Sequence, residues 1–314
     1  MRDRNFSIII AGPTASGKSL LAMAVAEAIG GEIVNADSMQ VYRELRVLTA
    51  RPSADDEAKC PHHLFGVISA RQKGSVGDWL ERAVATAAAI HAAGATPVFV
   101  GGTGLYLKAL LEGLAPVPEV PDAVIAETRA LYERLGGAAF REQLLDRDPE
   151  VAGIPSGDRQ RLLRAHEVVV ATGHPLSYWR GRQPTQPPLS GAVLKLLLLP
   201  PREALYAAIN KRFQAMVEAG GLVEAETVAA MALDPTLPAS RAVGLRQLAA
   251  YLAGETSKVE AIENAAQATR NYAKRQFTWF RNQFAADHVW EDFASQGVIA
   301  EALKRAIERR NNIA

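Results

Sequence analysis

Residues Gly12-Pro13-Thr14-Ala15-Ser16-Gly17-Lys18-Ser19 read G-x-x-x-x-G-K-S, directly after the apolar run Phe6 to Ala11 and directly before the Ala/Leu-rich stretch Leu20 to Ile29. A strand that ends in such a turn and reopens as a helix commits the chain to a narrow set of folds. The turn works only where successive backbone N–H groups and a helix N-terminus converge on one anion. Lys18 supplies countercharge, and the Ser19 hydroxyl stands where a magnesium ion (Mg2+) is held beside phosphates. Gly12, Thr14, Ala15, Ser16, Gly17, Lys18 and Ser19 are therefore the expected phosphate-binding residues. The motif alone leaves the polyphosphate, and its fate, open.

The rest of the chain supplies the matching sheet. Glu32 to Ala36 has a strand pattern and ends at Asp37-Ser38-Met39-Gln40. Val76 to Ala93 reads as a helix, and the strand Val98 to Val100 runs into Gly101-Gly102-Thr103-Gly104-Leu105-Tyr106. In an open parallel sheet, ligands bind outside the carboxyl ends of the strands, so Asp37 and Thr103 are aimed at the crevice of the loop. Strands alternating with helices predict an α/β class, a P-loop-type parallel sheet core flanked by helices.

The composition changes at Ala115-Pro116-Val117-Pro118-Glu119-Val120-Pro121, a stiff connector. From Asp122 to Val170 the pattern is helical and charged, and a second proline-rich stretch, Gln183 to Pro188, closes this unit. Ala192 to Leu199 returns as a core strand, Arg202 to Ala232 reads as helical, His288-Val289-Trp290 is a last strand, and Ile299 to Arg310 is a terminal helix. The expected organisation is a catalytic core over 1–115, an inserted helical lobe over 116–190, and the second part of the core over 191–314.

Several classes are disfavoured. One cysteine, Cys60, excludes an internal disulfide framework and a multi-cysteine zinc site, and His62 and His63 lack the spacing of metal ligands. The tract Val193 to Leu199 contains Lys195 and is far too short for a membrane span, and Phe6 to Ala11 is too short for a secretory apolar segment. A cytoplasmic monomer without membrane contact is the expectation. A net charge of +1 makes no global case for nucleic acid, but charge is segregated locally. Between Asn264 and Ala286 there is no acid, and Arg270, Lys274 and Arg281 share one helical face, with Arg275 alongside.

A P-loop alone favours a small-molecule kinase or NTPase, but no apolar run ends in an aspartate in Walker-B fashion. Instead Gly12 to Ser19, Asp37-Ser38-Met39-Gln40-Val41-Tyr42-Arg43, Thr49-Ala50-Arg51-Pro52, Pro61-His62-His63-Leu64 and Gly101 to Tyr106 occur in one order. Arg241-Ala242-Val243-Gly244-Leu245-Arg246-Gln247 and Thr269 to Gln276 follow. Over residues 8 to 282 this series resembles the tRNA dimethylallyltransferases.

The resemblance implies that the loop holds the diphosphate of dimethylallyl diphosphate. The reaction it implies is alkyl transfer to the exocyclic amine of the adenosine 3′ of the anticodon in tRNA. It implies that Asp37 holds and deprotonates the amine, that Thr103 touches the diphosphate or the amine, and that Arg212 reaches the diphosphate. The tRNA contacts it implies are Asp37, Ser38, Met39 and Gln40, then Asp158, Arg159, Gln160, Arg161 and Leu162, then Arg241, Gly244 and Arg246, then Arg270, Lys274 and Arg275. Leu245 stands where the family usually has tyrosine, Leu48 where glycine often precedes the threonine, and Gly66-Val67-Ile68 replaces a more acidic stretch. With no zinc-finger cysteines, the compact bacterial form is expected. A kinase would not need the basic segments at 159–164 and 270–281; an RNA-binding module using the loop only as an anion site would.

Overall fold

A computed structural model describes residues 5–182 and 186–312. Its strands are β1 (Phe6–Ala11), β2 (Gly31–Asn35), β3 (His62–His63), β4 (Thr96–Gly101), β5 (Ala192–Leu198) and β6 (His288–Trp290). Among the described residues they form one parallel six-stranded sheet in the order β3-β2-β4-β1-β5-β6. The chain leaves β1 for β2, returns through β4, and later adds β5 on the other side. The carboxyl end of β1 is thus a topological switch point, where an α/β sheet opens a ligand crevice.

Apolar residues occupy both faces of β1, as a sheet covered on both sides requires. Ile8 and Ile10 pack with Leu21, Val25 and Ile29 of α1 (Lys18–Ile29) and with Val298 and Ala302 of the terminal helix Gln296–Asn311. Ile9 and Ala11 belong to the opposite layer, with Trp79, Tyr106, Leu107, Phe280 and Phe284. Helices Val76–Ala92, Gly104–Glu112, Leu245–Leu252 and Lys258–Gln283 carry much of that layer.

The chain divides into two compact units, Met1–Leu111 with Pro188–Ala314, and Glu112–Pro187. In the second unit the helical expectation over Asp122 to Val170 is broken into pieces. A helix over Asp122–Leu145 is kinked at Gly136 (φ 72°), a short 3-10 turn covers Pro149–Gly153, and a helix spans Arg159–Thr172. Phe140, Leu144, Val151, Leu162 and Leu163 form its own core. Of the second proline-rich stretch, residues 183–185 lie outside the described residues.

Two further differences from the sequence reading have local causes. His62–His63 pairs as the edge strand β3 beside β2, a strand too short to show alternation. The helical run after Arg202 ends at Met216, turns through Val217–Gly221 with Gly220 at φ 106°, and resumes at Leu222.

Gly101 closes β4 where a methyl would stand 2.0 Å from the Ala36 carbonyl oxygen. That close approach brings the ends of β2 and β4 together, with Ala36 N–H donating to Val100 at 2.8 Å. Gly101→Ala is expected to lower the free energy of unfolding by about 1–3 kcal/mol, the usual cost of overpacking. Urea unfolding checks this, and an unchanged midpoint would contradict it.

Candidate active site

The loop after β1 presents unsatisfied donors. Ala15 and Gly17 hold left-handed backbone conformations, φ 65° and 88°, and Gly17 caps α1. Among the described residues the N–H groups of Ala15, Gly17, Lys18 and Ser19 meet no backbone acceptor. Such a concave run of amides at a helix N-terminus is an anion cradle. The Ser16 hydroxyl is buried there without a partner among the described residues, and Ser19 is exposed at the first turn. Lys18 donates to the Pro13 carbonyl at 3.3 Å. Burial lowers the pKa of its ammonium to about 8, with the Arg212 charge adding to the shift and Asp37 opposing it.

Asp37 is held by its own strand end. Its N–H donates to Asn35 Oδ1 at 2.8 Å, and its Oδ1 accepts from the Met39 N–H at 2.9 Å. Asn35 is fully buried, donates to the carbonyls of Asp37 and Leu64, and accepts through its own carbonyl from the Trp79 indole at 2.9 Å. Thr103 joins the β4 turn to this loop, its Oγ1 accepting the Ser38 N–H at 2.9 Å. One Asp37 oxygen is thus fixed by the chain while Oδ2 has no hydrogen-bond partner among the described residues.

Arg212 lies on the helix Arg202–Met216 but turns inward, its guanidinium donating to Thr14 Oγ1. Burial lowers its pKa, and Asp37 acts against that shift. Tyr272, on Lys258–Gln283, reaches the Thr103 hydroxyl; burial raises the pKa of its phenol, as does the Asp37 charge. A cavity of about 60 Å3 lies here, lined on its polar side by Thr14, Asp37, Arg212 and Tyr272 and on its apolar side by Met39, Ile209, Phe213 and Val243. The phosphate loop, Asp37, Thr103 and Arg212, expected from separate segments, are thus brought together.

Other expected residues have different surroundings. Leu162 is fully buried in the core of its own unit, which withdraws its side chain from an RNA surface. Asp158 caps its helix by accepting from the Arg161 N–H and pairs with Arg161, while Arg159 pairs with Glu133; Gln160 is exposed. The Gln40 amide donates to the carbonyls of Thr49 and Ala50, and so holds its own loop. Gly244 is buried at a left-handed helix cap against Phe213. Arg241 and Arg246 are exposed. Arg270 bonds Asn210 and Gln267, whereas Lys274 and Arg275 are exposed and meet no acid among the described residues.

Two supporting residues escape a sequence reading. Glu224 accepts the N–H groups of Arg46, Val47 and Leu48 at 2.7, 2.6 and 2.8 Å, and so fixes the loop whose Leu48 and Thr49 reach the cavity. Gln276 bonds both the phosphate loop and the β4 turn. The acid-free stretch of basic residues drew attention to this helix for its exposed face, not for the amide on its buried one.

A family profile described as IPP transferase matches residues 40–283, and one described as isopentenyl transferase matches residues 7–62. A curated tRNA dimethylallyltransferase from Rhodospirillum centenum is 51% identical, over 89% of this chain and 89% of its own length. Another, from Phenylobacterium zucineum, is 51% identical over 92% of this chain and 96% of its own. The solved tRNA isopentenylpyrophosphate transferase from Bacillus halodurans is 29% identical, with a TM-score of 0.70 over 99% of this chain and 98% of that one. A eukaryotic dimethylallyltransferase acting on tRNA, 24% identical, shares the fold at a TM-score of 0.80 over 98% of this chain and 80% of that one.

The lowered pKa of Lys18 is a cost to the folded state. Below about pH 8 the folded chain holds a charge that burial disfavours, and the cost fades as pH rises towards 10.5. Lys18→Met is therefore expected to raise the unfolding midpoint of the ligand-free protein at pH 7, with a smaller gain at pH 9.5. The same variant is expected to bind inorganic diphosphate at least about tenfold more weakly, the loss of a charge-assisted contact. Thermal unfolding and titration calorimetry check both; a gain equal at the two pH values would contradict the origin of the shift.

Proposed function

The chain belongs to the tRNA dimethylallyltransferase (IPP transferase) family, and on that premise we propose that it transfers a dimethylallyl group from dimethylallyl diphosphate to tRNA. The acceptor in this reading is the exocyclic N6 amine of the adenosine 3′ of the anticodon. The observation that carries it is the pairing of a fixed carboxylate, Asp37, with a cationic anion cradle across a small, partly apolar cavity.

In the transfer, the adenine nitrogen bonds the allylic carbon as the bond from that carbon to oxygen breaks. The electron pair leaves with the diphosphate, and the amine proton passes to Asp37. The amine becomes acidic only as it bonds carbon, so a carboxylate positioned on Oδ2 is a sufficient base. Lys18, Arg212 and the loop amides stabilise the charge that grows on the leaving diphosphate. Tyr272 lines the cavity on the nucleophile's side and hydrogen-bonds Thr103 behind it.

Magnesium belongs to the same proposal. The described residues hold no group of three or more His, Cys, Asp or Glu suited to a metal, so a magnesium ion here would rely on few protein ligands. The exposed Ser19 hydroxyl would be the protein's ligand for it, and the ion would supply charge neutralisation for the leaving group.

The tRNA side of the reading uses Lys274 and Arg275 of the acid-free helix, with Arg241 and Arg246, and the basic helix start at Asp158 to Arg161 in the second unit. The lobe over 116–190 acts as a tRNA-binding domain. The reaction needs residues of one chain only, in keeping with a monomer. No helix among the described residues is long and apolar enough to cross a membrane; the cytoplasm, where tRNA is available as substrate, is the compartment this reading assigns. Family membership counts against the alternative of a P-loop kinase or NTPase.

The test incubates the protein with unmodified tRNA and either dimethylallyl diphosphate or ATP, then weighs the nucleosides. A dimethylallyl increment on adenosine is expected with the first donor and none with the second. Asp37→Ala is expected to lose at least about a hundredfold in turnover, in the range for a general base, with tRNA affinity preserved. RNA-independent ATP consumption, or full turnover in that variant, would overturn the reading.

A further inference from the structure

We infer that Gln276 is a positioning residue for the transfer, its side-chain amide setting the spacing between the loop that holds the diphosphate and the turn that carries Thr103. Its Oε1 accepts the Thr14 N–H at 2.9 Å, and its Nε2 donates to the Gly102 carbonyl at 2.8 Å. The side chain is 6% exposed, so neither bond is exchanged freely with water. Gly102 is shaped to admit it, since a Cβ at that position would lie 2.3 Å from Nε2. One amide thus bonds the segments that follow two neighbouring strands, β1 and β4, just beyond their last paired residues.

The inference rests on the proposed reaction. The leaving group sits on the loop after β1, and the nucleophile is held by Asp37 and Thr103 after β2 and β4. The allyl carbon passes from one set to the other, so the separation of the two sets is a reaction coordinate in itself. Neither set depends on Gln276 for its own ligand contacts: the free amides at Ala15, Gly17, Lys18 and Ser19 hold the anion, and Asn35 with Met39 holds Asp37. The backbone pairing of β1 with β4 ends at Ala11 and Gly101, and Gln276 carries the link one step further, between the loop and the turn that follow them. Tyr272 stands one helical turn earlier on the same face and reaches Thr103, so this face of the helix braces the β4 turn twice. Lys274 and Arg275, exposed on the same helix, place the brace directly under residues proposed to meet RNA.

A misplacement of about 1 Å between reacting groups costs on the order of a hundredfold in rate. Gln276→Ala is therefore expected to lower kcat by about 10–100-fold while the Kd for tRNA and for inorganic diphosphate each change by less than about threefold. Active sites are counted by diphosphate stoichiometry, so a loss of folded protein does not enter kcat. A role in stability alone would lower the unfolding midpoint and the active fraction and leave kcat per site intact, which would overturn the inference.

Gln276→Glu and Gln276→Leu provide the second readout. A protonated Glu offers a donor and an acceptor where the amide does, whereas the carboxylate loses the donor to Gly102. The ratio of Gln276→Glu to wild-type turnover is expected to rise as pH falls through the carboxyl's titration, and that of Gln276→Leu to stay low and flat. A flat ratio for Glu, or equal recovery by Leu, would overturn the inference. Wild-type protein that transfers nothing would instead remove the transfer reading and this inference with it.

Discussion

A multiply charged anion can be held without a matching crowd of side chains only where backbone N–H groups are left over and point the same way. The turn from β1 into α1 creates that surplus, with left-handed backbone at Ala15 and Gly17 and the first amides of a helix behind them. Everything else in the site is placed by where that turn must stand. Parallel pairing puts the ends of β2 and β4 on the same edge as the end of β1, and the Gly101 contact with Ala36 draws them together. Asp37 and Thr103 are the residues those ends deliver.

The charges are then arranged against one another. Lys18 and Arg212 are cations whose burial costs stability, and Asp37 is the anion whose field partly offsets that cost for each. A site with two desolvated cations and one carboxylate is ready for a further anion and strained without it. This is the electrostatic form of preorganisation, with donors in place before charge develops on the leaving group. In the proposed reaction the carboxylate serves the nucleophile and the cations serve the leaving group, which separates proton acceptance from anion stabilisation within one small cavity.

The parts legible in the sequence are those whose chemistry is local. The phosphate loop announces itself because its glycines, lysine and serine must be contiguous, and Asp37 and Thr103 are legible because each follows a strand in a sheet whose carboxyl edge is functional. Arg212 is legible only through family resemblance, since helix periodicity cannot say that this one arginine turns inward to Thr14. Gln276 and Glu224 were not legible: each bonds backbone groups distant in sequence, and nothing about an isolated glutamine or glutamate marks such a contact. Leu162 shows the opposite case, a residue grouped with its neighbours in an expected tRNA-contacting segment although its side chain is buried in the core. The edge strand β3 and the break at Gly136 depend on partners and backbone conformations that composition does not report.

In the proposed reaction the loop holds a leaving group on carbon, not an electrophilic phosphorus. The most direct measurement uses dimethylallyl diphosphate carrying 18O in the oxygen that bridges carbon and phosphorus, with tRNA as acceptor. Cleavage between carbon and oxygen leaves the whole label in the released diphosphate, and that is the predicted result. Label recovered in a dimethylallyl alcohol, with phosphate transferred elsewhere, would contradict the account.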